Sequence, residues 1–363
     1  MYFKLNERYE LRGWKLLPFA ICDNNTGKIS FLSRDEFKLL YHCDGLHDFS
    51  KKKYTDDTRK FLDILINKGI ISECIMGDTL KKRQEYIQYD SRFIKTVQWS
   101  ITGKCNFRCR HCFMSASHAK LGELSHGECV KIIEEIASCG IRSVSLTGGE
   151  PLVRKDFFEL IDELVNHNIR IDSIYSNGKL ITNDFFDKIE ARGIHPVIHM
   201  SFDGVGWHDW LRGIPGAEKM TLDAYKLCQK RGYVTTAEMC IHKNNLNTFR
   251  ETMHLLADLD CCSLKINPAA PIGEWVTTSK KFTLSHKEVN DTFLEYIEQF
   301  FEDKMPIGLW LGLFLNVIKA LQITILVTAK IQQMSIAVKN LSVLMQGILC
   351  ISVLKALHFH VWQ

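Results

Sequence analysis

Thr96-Val97-Gln98-Trp99-Ser100-Ile101-Thr102-Gly103-Lys104-Cys105-Asn106-Phe107-Arg108-Cys109-Arg110-His111-Cys112 reads as a short apolar strand running into a loop with three cysteines, separated by three and then two residues. Three thiolates on one loop can hold three corners of a cubane iron–sulfur cluster and leave one iron open to another ligand. Two other readings of the spacing stay open: a zinc knuckle with His111 as fourth ligand, or cysteines that pack.

Outward from the loop the chain repeats strand, loop, helix. Ser125 begins a helix through Val130, Ile133 and Ile136 that ends at Gly140. Strands follow at Val144–Thr147, Ile171–Tyr175, Val197–Phe202, Thr235–Ile241 and Leu264–Asn267, alternating with helices over 157–166, 182–191, 217–230 and 249–259. Alternation of this kind predicts a parallel sheet with right-handed crossovers. Six units are too few for a closed eightfold barrel, so the expected fold is α/β, a partial (β/α)6 barrel. Function in such barrels collects at the C-terminal strand ends. Those ends read Cys105 to Cys112, Thr147-Gly148-Gly149-Glu150-Pro151, Tyr175-Ser176-Asn177-Gly178, Ser201-Phe202-Asp203-Gly204 and Asn267-Pro268. Any one of them could be only a tight turn; five on one rim suggest a ligand site.

Before residue 91 the pattern differs. Apolar runs at Leu16–Cys22 and Lys28–Leu32 flank Asp23-Asn24-Asn25-Thr26-Gly27, good hairpin chemistry because Asn and Gly tolerate positive φ. Ser33 with Glu36 makes a capping box, a second helix spans Thr55 to Lys68 before Gly69, and Ile70-Ile71-Ser72 closes with a strand. A small winged-helix-like module is expected there. The chain has 363 residues, 13 cysteines and a net charge of +4, which gives no reason to expect nucleic acid. Met1 to Arg8 is charged and lacks an apolar core of signal length, which predicts a reducing cytoplasm where clustered cysteines serve metal or redox chemistry. The other cysteines, Cys240 among them, read as core thiols.

The combination of CxxxCxxC, Gly-Gly-Glu-Pro, the Ser-Asn-Gly turn and the Ser-x-Asp-Gly turn, across roughly residues 95–270, resembles the radical S-adenosylmethionine superfamily. The resemblance implies a [4Fe–4S] cluster on Cys105, Cys109 and Cys112, with S-adenosylmethionine chelating the open iron. Reductive cleavage would then give a 5′-deoxyadenosyl radical that abstracts hydrogen from substrate. It implies that Gly148 and Gly149 let backbone carbonyls approach the methionyl ammonium, with Glu150 as a negative partner. Ser176 and Asn177 would face the carboxylate or ribose, with Ser201 and Asp203 nearby. Arg212, in His208-Asp209-Trp210-Leu211-Arg212-Gly213, is a planar donor suited to a carboxylate, or else a surface arginine. His111 would lie against adenine.

The N-terminal module and Pro271-Ile272-Gly273-Glu274-Trp275 resemble the peptide-modifying branch, which normally continues into a cysteine-rich (SPASM) domain carrying auxiliary clusters. The expected partners are a peptide or protein substrate and a one-electron donor such as flavodoxin or ferredoxin. A tetrapyrrole- or cofactor-maturing enzyme and a zinc-binding structural protein are the alternatives. The expected organisation is a recognition module at 1–90, a barrel at 91–275, a helical extension at 276–305 and an apolar tail at 306–363. From Pro306 to Gln363 there is no Asp, Glu or Arg and only Cys350 remains, so auxiliary clusters are not expected there. A membrane-embedded tail from Ile307 to Val327 is weakened by Asn316, Lys319 and Gln322; a divergent helical cap is a second reading. The third, which the sequence favours, is a frameshifted translation. Val343 to Trp362 can be encoded so that a one-base shift reads Cys, then a Ser-Pro-Glu-Gly turn, then Pro-Cys, similar to the start of the missing domain.

Overall fold

The computed structural model describes residues 1–51 and 54–312, and the compact unit considered is Met1–Trp310. The readings of the apolar tail fall, beyond Gly312, outside the described residues. Among the described residues no helix is long and apolar enough to cross a membrane.

The N-terminal part holds β1 (Tyr2–Leu5), β2 (Tyr9–Lys15), β3 (Leu17–Asp23), β4 (Ile29–Phe31), α1 (Arg34–Tyr41), α2 (Asp56–Asn67), β5 (Ile71–Cys74) and β6 (Ile87–Arg92). The expected turn is made at Gly27, whose φ of +66° and N–H to Asp23 O (2.7 Å) close the β3–β4 hairpin. Ser33 and Glu36 form the reciprocal capping box on α1, and Thr55 caps α2. β1, β2 and β6 were not legible from apolar patterning. β2 and β6 complete the sheet ordered β4-β3-β2-β6, and β1 pairs antiparallel with β5. β2 escapes an alternation rule because Glu10 and Arg12 are buried within it, so charge does not mark its exposed face.

The second part runs β7 (Val97–Ser100), α3 (His126–Ser138), β8 (Ser143–Thr147), α4 (Phe157–Asn166), β9 (Arg170–Ser176), α5 (Asn183–Glu190), β10 (Val197–Ser201), α6 (His208–Arg212), α7 (Ala217–Arg231), β11 (Thr235–Ile241), α8 (Phe249–Asp258), β12 (Cys261–Pro268), α9 (Glu274–Thr278), α10 (His286–Glu302) and β13 (Gly308–Leu311). β7 to β12 are parallel neighbours in chain order, as the βα repeat predicts. β13 joins as a seventh strand at the β12 edge. Burial alternates along β10 and β11, so one face of each strand packs fully into the core while the other is only partly covered. Val144, Leu146, Ile171, Ile174, Ile198, Met200, Ala237, Met239, Leu264 and Ile266 are all buried. Because the strands are parallel and in sequence order, their C-terminal ends share one rim, and the cysteine loop leaves the first of them.

Candidate iron–sulfur site on the barrel rim

The cysteine loop is clasped on three sides. After β8, the Gly149 N–H donates to Thr102 O (2.9 Å) and the Glu150 N–H to Lys104 O (2.9 Å). No side chain fits at Gly149, where a Cβ would stand 2.1 Å from Lys104 O. At the end of α6, Leu211 O accepts the Arg110 N–H (2.8 Å) and Arg212 O the Arg108 N–H (3.3 Å). After β12, the Glu274 N–H donates to Cys112 O (3.0 Å), and Gly273 (φ +57°) packs where a Cβ would be 2.4 Å from that same oxygen.

Each sulfur of the loop faces at least one N–H. Cys105 Sγ accepts from Phe107 N–H (3.4 Å) and Asn177 Nδ2 (3.9 Å), Cys109 Sγ from Arg212 Nη1 (3.9 Å), and Cys112 Sγ from Ala116 N–H (3.3 Å). Donors aimed at sulfur suit thiolate rather than thiol, and thiolate is the metal-binding form. Without metal, burial pushes the Cys105 thiol up to about 12 and raises Cys109 as well, so metal uptake there must displace protons. A zinc knuckle fits less well. At a Zn–S distance of about 2.3 Å, tetrahedral ligands lie about 3.8 Å apart. Among the described residues, the one group of metal-binding types whose ligand atoms all lie within 4.8 Å is His111, Asp203 and Cys240, which includes none of the three loop cysteines. Nor is that group open to a cation, because both Asp203 oxygens are already held by Arg212.

Glu150 is fully buried and ties two turns together. Its carboxylate accepts from Leu152 N–H (3.2 Å), Asn177 N–H (2.7 Å) and Ser176 Oγ (3.0 Å). Burial pushes its carboxyl up to about 7 against the pull of those bonds. Asn177, which Glu150 positions, turns its amide to Asn106 Oδ1 (2.7 Å) and Cys105. Gly148 (φ +149°) crosses close over Thr102. Ser201 ends β10, half-buried, in register with Glu238 of β11.

Arg212 is a buried residue, which rules out the surface reading. Its Nε and Nη2 grip the fully buried Asp203 carboxylate (2.6 and 3.0 Å). Burial alone would raise the Asp203 carboxyl; the guanidinium overrides that and holds it well below the usual carboxylate range. The Asp203 N–H donates to His208 Nδ1 (3.0 Å), while the Thr221 hydroxyl donates to Asn177 O (3.1 Å). His208 Nδ1 also stands 3.1 Å from Asp203 Oδ2, and its Nε2 lies 3.2 Å from Thr221 Oγ1. His111 brings a buried Nδ1 with no hydrogen-bond partner, and burial lowers its pKa to about 3.

Sequence reading missed Cys240, Thr221 and Asn245. Cys240 lies near the C-terminal end of β11, and its N–H donates to Asp203 Oδ1 (3.0 Å). It stands at a strand end like the other rim residues, but its flanking cysteines, Cys228 and Cys261, are too far along the chain to mark it as a ligand.

Residues 99–256 match the family model described as Radical SAM superfamily. An AdoMet-dependent heme synthase of Methanosarcina barkeri is 31% identical over 182 residues, covering 49% of this chain and 52% of that protein. The mycofactocin maturase MftC of Mycobacterium tuberculosis is 42% identical over 64 residues, 18% of this chain and 16% of that one. The chain spans about half the length of the heme synthase it matches. Among solved structures, Streptococcus suis SuiB bound to precursor peptide SuiA aligns with TM-score 0.59 at 14% identity, over 85% of this chain and 72% of that one. The enzyme anSMEcpe with bound AdoMet aligns at 0.51 and 18% identity, over 60% and 63% of the two chains. At these identities the likeness is one of fold. The matched segment contains the cysteine loop and the strand ends of β8 to β11, and over residues 99–256 the chain is similar to the Radical SAM superfamily, whose enzymes use a [4Fe–4S] cluster and S-adenosylmethionine.

Proposed function

We propose that the chain is a radical S-adenosylmethionine enzyme whose cluster is held by Cys105, Cys109 and Cys112. The observation that carries this is the set of N–H donors facing all three sulfurs within the matched segment. Bound to such a cluster and reduced by one electron, S-adenosylmethionine supplies a 5′-deoxyadenosyl radical for hydrogen abstraction. The chain's own residues bind and orient. Gly148, Gly149 and Glu150 fix the loop and the Ser176–Asn177 turn beside it. Asn177, Ser201, Asp203, Arg212 and His111 line the rim on which the nucleoside and amino-acid portions would rest. With its fork taken by Asp203, Arg212 keeps Nη1 for other partners. A flavodoxin or ferredoxin would supply the electron.

A peptide or protein is the substrate class we favour. The likeness to SuiB, solved with its precursor peptide, extends over 85% of this chain, beyond the barrel alone. The heme synthases among the relatives support a second reading, a tetrapyrrole substrate. Anaerobic reconstitution tests the shared chemistry. About four irons per chain and reductive cleavage of S-adenosylmethionine are expected, whereas bound zinc without cleavage would overturn the proposal. Deuterium transfer into 5′-deoxyadenosine from a labelled peptide, and not from a labelled porphyrin, would separate the two substrate classes.

A further inference from the structure

Cys109 differs from the other two cysteines in the charge of its donor. Asn177 and the backbone N–H groups offered to Cys105 and Cys112 are neutral, whereas the Nη1 offered to Cys109 belongs to a guanidinium. That guanidinium cannot swing away. Asp203 holds its Nε and Nη2, and Asp203 is itself fixed by the Cys240 N–H (3.0 Å) and by Asn245 Nδ2 on its carbonyl (2.8 Å). His208, with Nδ1 3.1 Å from Asp203 Oδ2, and His111 and Cys240, within 4.8 Å of that carboxylate, are further titratable side chains facing the pair, and none of them displaces Asp203 from the guanidinium. The pair is therefore a fixed dipole, with its positive end at the sulfur and its carboxylate engaging the guanidinium through the two other nitrogens. We propose that the Asp203–Arg212 dipole sets the reduction potential of the cluster through Cys109.

The inference rests on the cluster reading above. One-electron reduction adds a negative charge that is shared with the ligand sulfurs. Charge and hydrogen bonds at those sulfurs are among the features that set cluster potentials. A cation a few ångströms away in a desolvated site stabilises the reduced form more than it would in water. The carboxylate works in the opposite direction and keeps the cluster from becoming too easily reduced. Changing the two ends of the dipole must then move the potential in opposite directions, which a purely structural pair would not do.

The test is an EPR-monitored redox titration of the full chain, reconstituted anaerobically and without S-adenosylmethionine, so that no ligand contact of Arg212 contributes. Asp203→Asn leaves the guanidinium uncompensated, and the potential should rise. The double variant Asp203→Asn with Arg212→Gln removes both charges without stranding a buried one, and the potential should fall. Each shift is expected to change the reduction equilibrium at least tenfold, about 59 mV for one electron. Arg212→Lys, which keeps a charge but loses the planar fork, should fall between wild type and the double variant, and it serves if Asp203→Asn does not fold. Unchanged potentials, or shifts of one sign, would overturn the inference while leaving the cluster in place. If wild type assembles no cluster with about four irons, the cofactor reading falls and takes the inference with it.

Discussion

His242 makes the sharpest prediction at the scale of one residue. It is fully buried, and its Nδ1 accepts the Asn244 N–H (3.3 Å), which places the ring proton on Nε2. Nε2 has no hydrogen-bond partner and lies among the rings of Trp207, Trp210, Trp275 and Phe282. Burial there lowers the His242 pKa to about 4. The unfolded chain takes up this proton near pH 6.5, while the folded protein resists until about pH 4. The contribution to stability is therefore complete above about 6.5 and lost as pH falls towards 4, at most about 3 kcal/mol. His242→Phe should flatten the pH dependence of urea midpoints over that window. The same loss in wild type and variant would show that His242 is not responsible. His111 titrates against the same unfolded reference but is present in both proteins and cancels in the comparison.

At the scale of an element, the Gly148–Pro151 turn shows what sequence can and cannot disclose. Its glycines marked a place where backbone comes close to something, and that much was legible. The nearest neighbour proved to be the chain itself: the Gly149 and Glu150 N–H groups donate to Thr102 and Lys104, and Glu150 holds Asn177. Those partners lie many residues away in sequence and one strand away in space, so no local pattern names them. Strand order and the cysteine triad were legible because parallel βα units impose period and sequence adjacency. Cys240 was missed because its neighbours, His111 and Asp203, come from two other strand ends. Gly149→Ala should lift the turn off Lys104, at a cost of about 1–3 kcal/mol, and reduce iron uptake with it. Gly193→Ala, at φ +66° with open space for a Cβ, carries only the backbone strain, about 1–2 kcal/mol. Iron content and thermal midpoint of both variants test the point. Normal iron uptake by Gly149→Ala would mean that the clasp does not hold the cysteine loop.

For the molecule as a whole, the N-terminal sheet and the barrel are joined by a buried ionic centre. Glu10 of β2 accepts from Arg12 Nη2 (2.9 Å) and from Arg142 Nη1 at the start of β8 (2.8 Å), while Asn24 Nδ2 bonds its other oxygen (2.8 Å). Arg142 also donates to Asn24 Oδ1, and Trp14 Nε1 reaches across to Cys139 O (3.2 Å). The charges that hide β2 from pattern reading are thus the ones that attach it. Removing only the shared carboxylate leaves the buried Arg12 guanidinium and the partly buried Arg142 guanidinium without their counter-charge, so Glu10→Gln should cost about 3 kcal/mol. Because the loss falls at the junction, the expected result is a split of one urea transition into two, with proteolytic cleavage appearing between residues 75 and 86. Replacing the whole centre, as Glu10→Leu with Arg12→Met and Arg142→Met, removes the unpaired charge as well and should recover most of that stability. Recovery distinguishes a desolvation penalty from a lost attraction. If the triple variant were no more stable than Glu10→Gln, the junction would depend on the ion pairs themselves, and the two parts would be coupled by charge rather than by the packing of Trp14.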